Sequence, residues 1–307
     1  MTAVRTDTPL AFSDRVAAAV ERKRSQLIVG LDPRLDLLPI ELRGSAEGGR
    51  AAAAMAVERF CRGIIDAVSP YTVGVKPQLA FFEALGADGW RAFEAVCAYA
   101  RDAGLVVVAD GKRGDIGATA RAYAAAFLEP VEGGAPVAHA LTVNPLLGED
   151  SLDPFLAACR RYGAGIFLLV HTSNAGAADI QGATLSDGRP LWRHIADLVA
   201  EWGKGIVGDC GLSAVGAVVG ATYPRAIGEA RRAMPQAIML LPGIGAQGAG
   251  PADVARAFTS GPASALVTAS RSVIYAYRDV AGEVDWRSAA GEEASRLAGA
   301  IWEASGW

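Results

Sequence analysis

Residues able to do acid and base chemistry are concentrated in one stretch, "LVVVADGKRGDIGATA", which spans residues 105 to 120. It carries Asp110, Lys112, Arg113 and Asp115 immediately after a run of valines. Alternate residues of an extended chain share one face, so Asp110 and Lys112 are predicted to lie side by side. Neighbouring opposite charges would keep both groups ionised and hold a carboxylate beside a bound substrate. The stretch therefore predicts either a working site or a solvated, charged loop.

Further ionisable residues end two earlier apolar runs. Lys76 closes "TVGVKP", and Asp32 closes "LIVGLD". Taken alone, Asp32 fits an ordinary turn start, because Asp-Pro pairs commonly begin turns. Taken with Asp110 and Lys112, these residues predict that charges from three successive runs converge on one mouth, where Lys76 reaches Asp110.

Two late segments predict a phosphate site. "PGIGAQG" supplies glycine-rich backbone whose N–H groups can face an anion, with Gln247 as a further donor. Arg271, in "SRS", offers the bidentate contact that arginine makes with phosphate. A glycine-rich loop alone also fits a plain turn, but the arginine that follows the next apolar run favours phosphate binding.

The elements that position these residues are predicted from short β-branched runs that alternate with longer Ala-rich segments of helical period. That alternation is typical of a parallel sheet joined by helical crossovers. Eight such units indicate an α/β fold of the (β/α)8 TIM-barrel type, in which the carboxyl ends of the strands carry the active site. The eight predicted strands are 27–32, 72–77, 105–110, 140–145, 165–171, 215–222, 237–243 and 265–270.

The barrel is predicted as a single domain over residues 1–307. Segments 36–50 and 174–214 are longer than a minimal barrel needs, and they are predicted to be loop or helix insertions because no linker composition brackets them. The alternative, an open doubly wound sheet, would need a glycine-rich turn after the first strand. The chain has "PRLDLLP" there, which disfavours that alternative.

Composition argues against several classes of function. The 307 residues carry a net charge of −4 at pH 7, spread along the chain, which is not the basic footprint of a nucleic-acid-binding protein. The apolar runs are too short to span a bilayer and the first residues lack a secretory pattern, so a cytoplasmic protein is expected. The four cysteines and three histidines form no metal-binding motif, so no metal is expected and the thiols are predicted to be reduced packing residues.

Seven motifs follow one another along the chain: "GLDP", "VGVKPQLAFFE", "ADGKRGDIG", "LTVNPLLG", "HTSN", "LPGIGAQG" and "SRSVIYA". In this order they resemble those of the orotidine 5′-phosphate decarboxylase family, in its longer bacterial subgroup (type 2). The resemblance covers about residues 26 to 280 and implies removal of CO2 from orotidine monophosphate to give UMP in de novo pyrimidine synthesis, with no cofactor. One D-x-K-x-x-D motif alone would be weakly specific, whereas seven ordered motifs at successive strand ends are strongly so.

The resemblance implies catalytic roles for three residues. Lys112 would donate a proton to C6 of the pyrimidine, and Asp110 would lie against the substrate carboxylate. Lys76 would hold Asp110 and a ribose hydroxyl. Loss of CO2 from C6 leaves a carbanion with no carbonyl placed to delocalise it. An ammonium group at C6 would stabilise this negative charge and then donate the proton.

The resemblance also implies binding roles. Asp32 would bind ribose hydroxyls, and Gln247 and Arg271 would bind the phosphate. Ser173 would contact the pyrimidine, with Asn174 as the alternative for that contact.

Members of the family are dimers with shared active sites, and this implies a homodimer here. Asp115, the second aspartate of the motif, would reach into the neighbouring subunit's site, with Thr119 as its companion. Gly111 departs from the small side chain, such as alanine, that many relatives have there, and glycine loosens the backbone that carries Asp110 and Lys112. Arg113 is open to two interpretations, a partner of the site or a solvated charge.

Two rival functions are weighed against this one. A metal-dependent sugar-phosphate decarboxylase or aldolase-like synthase shares the D-x-K-x-x-D motif, but it uses an acidic residue at the end of strand two to help bind magnesium, where this chain has Lys76. A non-catalytic barrel that binds phosphorylated metabolites would keep the glycine-rich loop and Arg271. It would have no need for Lys112 or Asp115.

Overall fold

The computed structural model describes residues 9–130, 134–245, 248–280 and 284–307, and in these ranges eight parallel strands close into a barrel. Each strand pairs with its neighbours in sequence, and β8 pairs with β1. The predicted (β/α)8 fold is confirmed, and the open doubly wound sheet is excluded by this closure. The strands are β1 (Leu27–Leu31), β2 (Gly74–Pro77), β3 (Val106–Arg113), β4 (Ala140–Val143), β5 (Gly165–His171), β6 (Ser213–Val219), β7 (Ala237–Pro242) and β8 (Ala265–Ala269).

Helices connect the strands and cover the outside of the barrel. The α-helices are α1 (Phe12–Lys23), α2 (Ile40–Arg43), α3 (Arg50–Val68), α4 (Leu79–Glu83), α5 (Gly86–Asp102), α6 (Gly117–Leu128), α7 (Glu149–Tyr162), α8 (Ala177–Ile180), α9 (Leu191–Gly203), α10 (Pro224–Ala233), α11 (Arg271–Ile274) and α12 (Trp286–Ser305). Short 3-10 helices occupy Leu35–Leu37, Gly44–Gly48, Pro251–Phe258 and Ala276–Arg278. None of the helices in the described ranges is long and apolar enough to cross a membrane.

The helices pack through apolar stripes set by their sequence period. In α3, the side chains of Val57, Phe60, Ile64 and Val68 are buried, at spacings of three and four residues. The strands are apolar on both faces because one face fills the barrel and the other contacts the helices. This double burial explains why the strands are continuous apolar runs in the sequence.

The two segments predicted as insertions contain regular structure. Residues 36–50 hold α2 and much of the two flanking 3-10 helices. Residues 174–214 hold α8 and α9, and α9 buries Trp192, Ile195 and Val199 at helical spacing. The crossover helix of the fifth βα unit is therefore inside the second segment, and it is preceded by the irregular stretch 181–190.

Candidate active site

A cavity of about 510 Å³ lies at the carboxyl ends of the strands. Six of the nine residues predicted for the site line it, and they come from five different strand ends or the loops that follow. These six are Asp32, Lys76, Asp110, Lys112, Ser173 and Arg271.

The Asp110 carboxylate, at the end of the buried part of β3, is the centre of the charged part of the cavity. Its Oδ2 accepts hydrogen bonds from Lys76 Nζ at 2.5 Å and from Gln78 Nε2 at 3.0 Å. Its Oδ1 accepts from Lys112 Nζ at 2.6 Å and from Thr142 Oγ1 at 2.9 Å. Two ammonium groups, an amide and a hydroxyl therefore hold this one carboxylate in place before any ligand binds.

Burial and neighbouring charges shift the pKa values of Asp110 and Lys76 in opposite directions. Burial alone would raise the pKa of Asp110, but the charges of Lys76 and Lys112 and their hydrogen bonds hold that pKa well below its usual range. Burial alone would lower the pKa of Lys76, but the charges of Asp110 and Asp32 raise it instead. The side chains of Lys76 and Asp110 are each 8% exposed, so a fully ionised pair is held in a nearly dry environment.

The backbone at Lys112 departs from regular strand geometry. Lys112 has φ of +47°, in the left-handed region that side chains other than glycine rarely adopt, and the β3–β4 register shifts between Ala109 and Arg113. The backbone N–H of Lys112 donates to Thr142 Oγ1 at 2.9 Å. The prediction that Asp110 and Lys112 share a face through simple strand alternation is therefore wrong in its geometry, because a bulge brings the ammonium group to the carboxylate.

Arg113 turns away from the Asp110 carboxylate. Its guanidinium forms an ion pair with Glu83, donates to the carbonyl oxygen of Gly111 at 3.0 Å, and lies over the ring of Tyr123 with its central carbon 5.6 Å from the ring centroid. The side chain thereby links the β3 bulge to α4 and α6. Of the two open interpretations, the structure favours a partner that holds the bulge over a solvated charge.

The glycine-rich segment after β7 has a backbone that glycine alone adopts easily. Gly243, Gly245 and Gly248 have φ values of +117°, +77° and +89°. Gly243 and Ile244 line the cavity, and Arg271 joins them from the first turn of α11, with its side chain exposed. Gln247, predicted as a phosphate donor, lies outside the described residues.

The remaining wall of the cavity carries polar groups that can receive a ligand. Asp32 lines the cavity, and its Oδ1 is buried without a hydrogen-bond partner among the described residues. Ser173 and Asn174 both line the cavity, and the neighbouring Thr172 is tied by its backbone N–H to Gln181 Oε1 at 2.7 Å. Ser173 and Asn174, the two candidates for the pyrimidine contact, therefore lie in a loop that is positioned by α8 and by Gln181, the residue after it.

Asp115 and Thr119 are not among the described residues that line the cavity of their own chain. Asp115 lies in the loop before α6, where its Oδ1 accepts from the backbone N–H of Ile116 at 2.8 Å. Thr119 is exposed in the first turn of α6. Asp115 itself is half-buried in that loop.

Sequence reasoning did not select Gln78 and Thr142, although both hydrogen-bond the Asp110 carboxylate. Gln78 follows directly after Lys76 and Pro77, and its polar side chain beside a strand end was a usable signal. Thr142 lies inside the apolar strand β4, where a β-branched residue fits a core position equally well. Nothing in the sequence alone separates those two uses of a threonine.

The fold and the cavity define a (β/α)8-barrel protein with a lysine–aspartate–lysine array at the carboxyl ends of its strands. The family model for the orotidine 5′-phosphate decarboxylase / HUMPS family matches residues 25–284. The chain belongs to this family, as the sequence motifs predicted.

Known proteins agree with this assignment. The chain is 44% identical to the orotidine 5′-phosphate decarboxylase of Rhodopirellula baltica, over 91% of this chain and 95% of that protein. It is 46% identical to that of Deinococcus radiodurans, over 86% of this chain and 89% of that protein. Among solved structures, Leishmania donovani OMP decarboxylase superposes with a TM-score of 0.74 at 30% identity, covering 97% of this chain and 100% of that one.

Proposed function

We propose that the chain is a carboxy-lyase that converts orotidine monophosphate to UMP and CO2 in de novo pyrimidine synthesis. The observation that carries this proposal is the buried Asp110 carboxylate with Lys76 Nζ at 2.5 Å and Lys112 Nζ at 2.6 Å. It provides a fixed negative charge and an adjacent proton donor in one cavity. Family membership and the full-length similarity to decarboxylases support the same reaction.

Substrate binding is proposed to start from the phosphate. Arg271 and the backbone around Gly243 would hold the phosphate, and the Asp32 carboxylate would accept a ribose hydroxyl. Ser173 or Asn174 would contact the pyrimidine. This orientation would place the C6 carboxylate over the Lys112 and Asp110 pair, and the phosphate would supply binding energy remote from the reacting atoms.

The chemical step uses one ammonium group. As the C6–CO2 bond breaks, its electron pair stays on C6, and Lys112 stabilises this charge and transfers a proton to C6, after which solvent reprotonates the amine. Asp110 beside the substrate carboxylate adds repulsion that ends when CO2 leaves. Two unit charges 4 Å apart interact by about 4 kcal/mol at an effective dielectric of 20, which is well short of the roughly 20 kcal/mol that such catalysis requires. Preorganised electrostatics must supply the larger part.

Replacing the proposed proton donor tests this function. We expect Lys112→Ala to fold and to bind UMP but to lose decarboxylation by about 1000-fold or more, because both the charge and the proton are removed. The measurement is the fall in orotidine monophosphate absorbance, with UMP affinity by calorimetry as the folding and binding control. Turnover near that of the unaltered protein would overturn the proposal.

Metal-dependent sugar-phosphate chemistry is the second activity associated with this motif. Lys76 places a buried cation where a carboxylate would be needed to hold magnesium, so the charge pattern favours the decarboxylase. We expect decarboxylation to be unchanged after treatment with EDTA. Loss of activity with EDTA and its return with Mg²⁺ would favour the sugar-phosphate enzyme instead.

A homodimer with shared sites is part of this proposal, as is a cytoplasmic location. Thr119 is exposed, and in the neighbouring loops the apolar side chains of Ile116, Leu146 and Leu147 are 59%, 64% and 52% exposed. An apolar rim of this kind is typical of an interface. Mixing inactive Lys112→Ala and Asp115→Ala chains should restore part of the activity, and no recovery despite measured subunit exchange would contradict shared sites.

A further inference from the structure

The amino-terminal face of the barrel carries a second cavity, of about 230 Å³, on the side opposite to the proposed active site. It lies between α1, the end of α5 and the starts of β3 and β4. Three arginines and one histidine line it, and no carboxylate is among its described lining residues. The basic residues are Arg15 and Arg22 of α1, Arg101 of α5 and His139.

The arginines of this cavity lack carboxylate partners among the described residues. None of the three takes part in an ion pair there. Arg15 Nε is buried and has no hydrogen-bond partner in the described part of the chain, which is costly for a group that carries a charge. The neighbouring Asp14 does not relieve it, because the Asp14 oxygens accept from the backbone N–H groups of Asp209 and Cys210 at 3.0 and 2.8 Å.

Two donors of the cavity are held in fixed positions. Arg101 Nη1 donates to the carbonyl oxygen of Val137 at 2.5 Å, which anchors the guanidinium and leaves its other N–H groups for a ligand. His139 Nδ1 accepts from the backbone N–H of Val107 at 3.0 Å, so in the neutral ring the proton is on Nε2. The neutral form dominates at pH 7, because burial and then the charges of Arg15 and Arg101 lower the pKa of His139 to about 4.

Together these groups form a site for a compact, doubly charged anion. Guanidinium groups match the geometry of phosphate oxygens, and a cavity of about 230 Å³ has room for one phosphate group. We propose that this cavity binds a phosphate dianion, either free or as the terminal group of a phosphate ester. The site is separate from the proposed substrate phosphate site, because β3 runs from Val106 at this cavity to Lys112 at the other.

The three histidines allow a direct test by nuclear magnetic resonance of the full chain. Inorganic phosphate is titrated while the imidazole nitrogen signals are followed, and His139→Gln assigns the His139 signals. His171 ends β5 next to the active-site cavity and reports phosphate binding there, while His194 of α9 lines neither cavity and serves as the reference. We expect a saturable shift of the His139 signals. No shift of His139 up to about 50 mM phosphate, a level far above the range of useful affinity, would overturn the proposal.

Arginine variants separate this site from general anion attraction. Arg22 is exposed on α1, so Arg22→Gln should fold, and Arg15→Gln removes the buried unpartnered group. We expect each to weaken phosphate binding at His139 by about tenfold, since a charge-assisted hydrogen bond to phosphate is lost. The matched control is Arg59→Gln, which removes an exposed arginine of α3 outside the cavity and should leave the binding curve unchanged. Equal weakening in the control would overturn the proposal.

The source of the phosphate group is distinguished by a second titration, with glucose 6-phosphate in place of inorganic phosphate. A shift of His139 with both compounds indicates recognition of a terminal phosphate group. A shift with inorganic phosphate alone indicates a site for the free ion. The His171 signal is compared in the same spectra, so failure of substrate binding at the active site and failure of this site are observed separately.

Discussion

The two sides of the active-site cavity are built in different ways. The charged wall, at the ends of β2, β3 and β4, is centred on the buried Asp110 carboxylate, which is hydrogen-bonded to the other polar side chains of the wall. The glycine wall, at the ends of β7 and β8, has an exposed arginine beside backbone with positive φ. The charged wall consists of Lys76, Gln78, Asp110, Lys112 and Thr142, and the glycine wall of Gly243, Ile244 and Arg271.

This difference assigns the chemical step to the charged wall and substrate binding to the glycine wall. The charged wall is complete without substrate, so the free energy needed to hold two ammonium groups around one carboxylate is supplied by folding. Arg271 of the glycine wall forms no ion pair among the described residues, so the substrate phosphate can gain its full interaction on binding. Changes in the charged wall should therefore affect stability and turnover together, and changes in the glycine wall should affect binding alone.

The largest effect is expected for Asp110→Asn. Lys76 is 7% exposed and would lose its counter-ion, so we expect a loss of about 3 to 5 kcal/mol in the free energy of unfolding. Decarboxylation should also fall, by about 100- to 1000-fold. Urea denaturation measures the first quantity and a steady-state assay the second. The control is Asp88→Asn, which breaks an exposed pair with Arg91 and should cost less than about 1 kcal/mol.

The pH dependence of the same variant gives a further prediction. The folded-state pKa of Asp110 is lowered, so its ionisation stabilises the protein fully above the unfolded-state pKa of aspartate, about 3.9. The stability difference between the unaltered protein and Asp110→Asn should be constant from pH 8 to about pH 5 and should shrink as the pH falls below about 4. A difference that grows on acidification would contradict the ionised, lysine-paired state.

Arg271→Gln should produce the next largest effect, on binding alone. The side chain is exposed, so the free energy of unfolding should change by less than about 0.5 kcal/mol. Loss of a charged hydrogen-bond donor to phosphate should lower kcat/KM by about 10- to 100-fold, mostly through KM. Arg278→Gln, an exposed arginine that follows α11 and does not line the cavity, is the matched control. A stability loss as large as that of Asp110→Asn would remove the distinction between the two walls.

Thr142→Val tests whether the hydroxyl of the charged wall positions Lys112. The variant keeps the shape but removes an acceptor for the Lys112 N–H and a donor to Asp110, so about 1 to 3 kcal/mol of stability should be lost. Because Lys112 would be less well placed, kcat should fall by about tenfold or more with little change in UMP affinity.

Two controls separate positioning from stability. Thr142→Ser keeps the hydroxyl and should restore kcat. Thr72→Val removes a buried hydroxyl that contacts the carbonyl oxygens of Leu27 and Gly74 at 2.6 and 2.8 Å, far from the cavity, so it should lower stability without lowering kcat. An equal fall of kcat in Thr72→Val would show that general destabilisation, rather than Lys112 placement, explains the effect.

Period and composition predict the barrel well because burial on both faces produces long apolar runs. They place the strand ends less well: β6 is predicted to end at 222 and ends at Val219, because Gly220 and Ala221 continue the apolar run after the strand has stopped. Charged residues at the ends of predicted strands indicate the charged wall, so Lys76 and Asp110 could be predicted from the sequence. The bulge at Lys112 could not be predicted, because the φ of Lys112 depends on its hydrogen bond to Thr142 of the next strand.

The glycine wall shows the complementary limit. Its glycines and Arg271 can be identified from the sequence. A glycine-rich loop after one predicted strand and an arginine after the next strand together indicate phosphate binding. What the sequence cannot provide is the placement of Asp115 and Thr119 outside the lining of the cavity, because that depends on the path of the chain between β3 and α6. Gln78 and Thr142 are intermediate. Their residue types are compatible with hydrogen bonding to Asp110, but only the contacts in the structure assign them to that carboxylate.

Gly111→Ala is expected to have the smallest effect, and it tests the one position where the resemblance to the family predicts a small side chain, such as alanine, instead of glycine. A Cβ at Gly111 would lie 3.2 Å from Leu79 Cδ2, the end of a flexible side chain, and its φ is not in the left-handed region. Alanine there also restricts the unfolded chain, so stability should change by less than about 1 kcal/mol and kcat by less than about threefold. Gly74→Ala is the contrasting variant, because its Cβ would lie 2.1 Å from the carbonyl oxygen of Val106 and should destabilise the β2–β3 pairing severely. If Gly111→Ala instead lowers kcat as strongly as Thr142→Val, then the bulge needs the freedom of glycine, and the charged wall is less rigid than its hydrogen bonds imply.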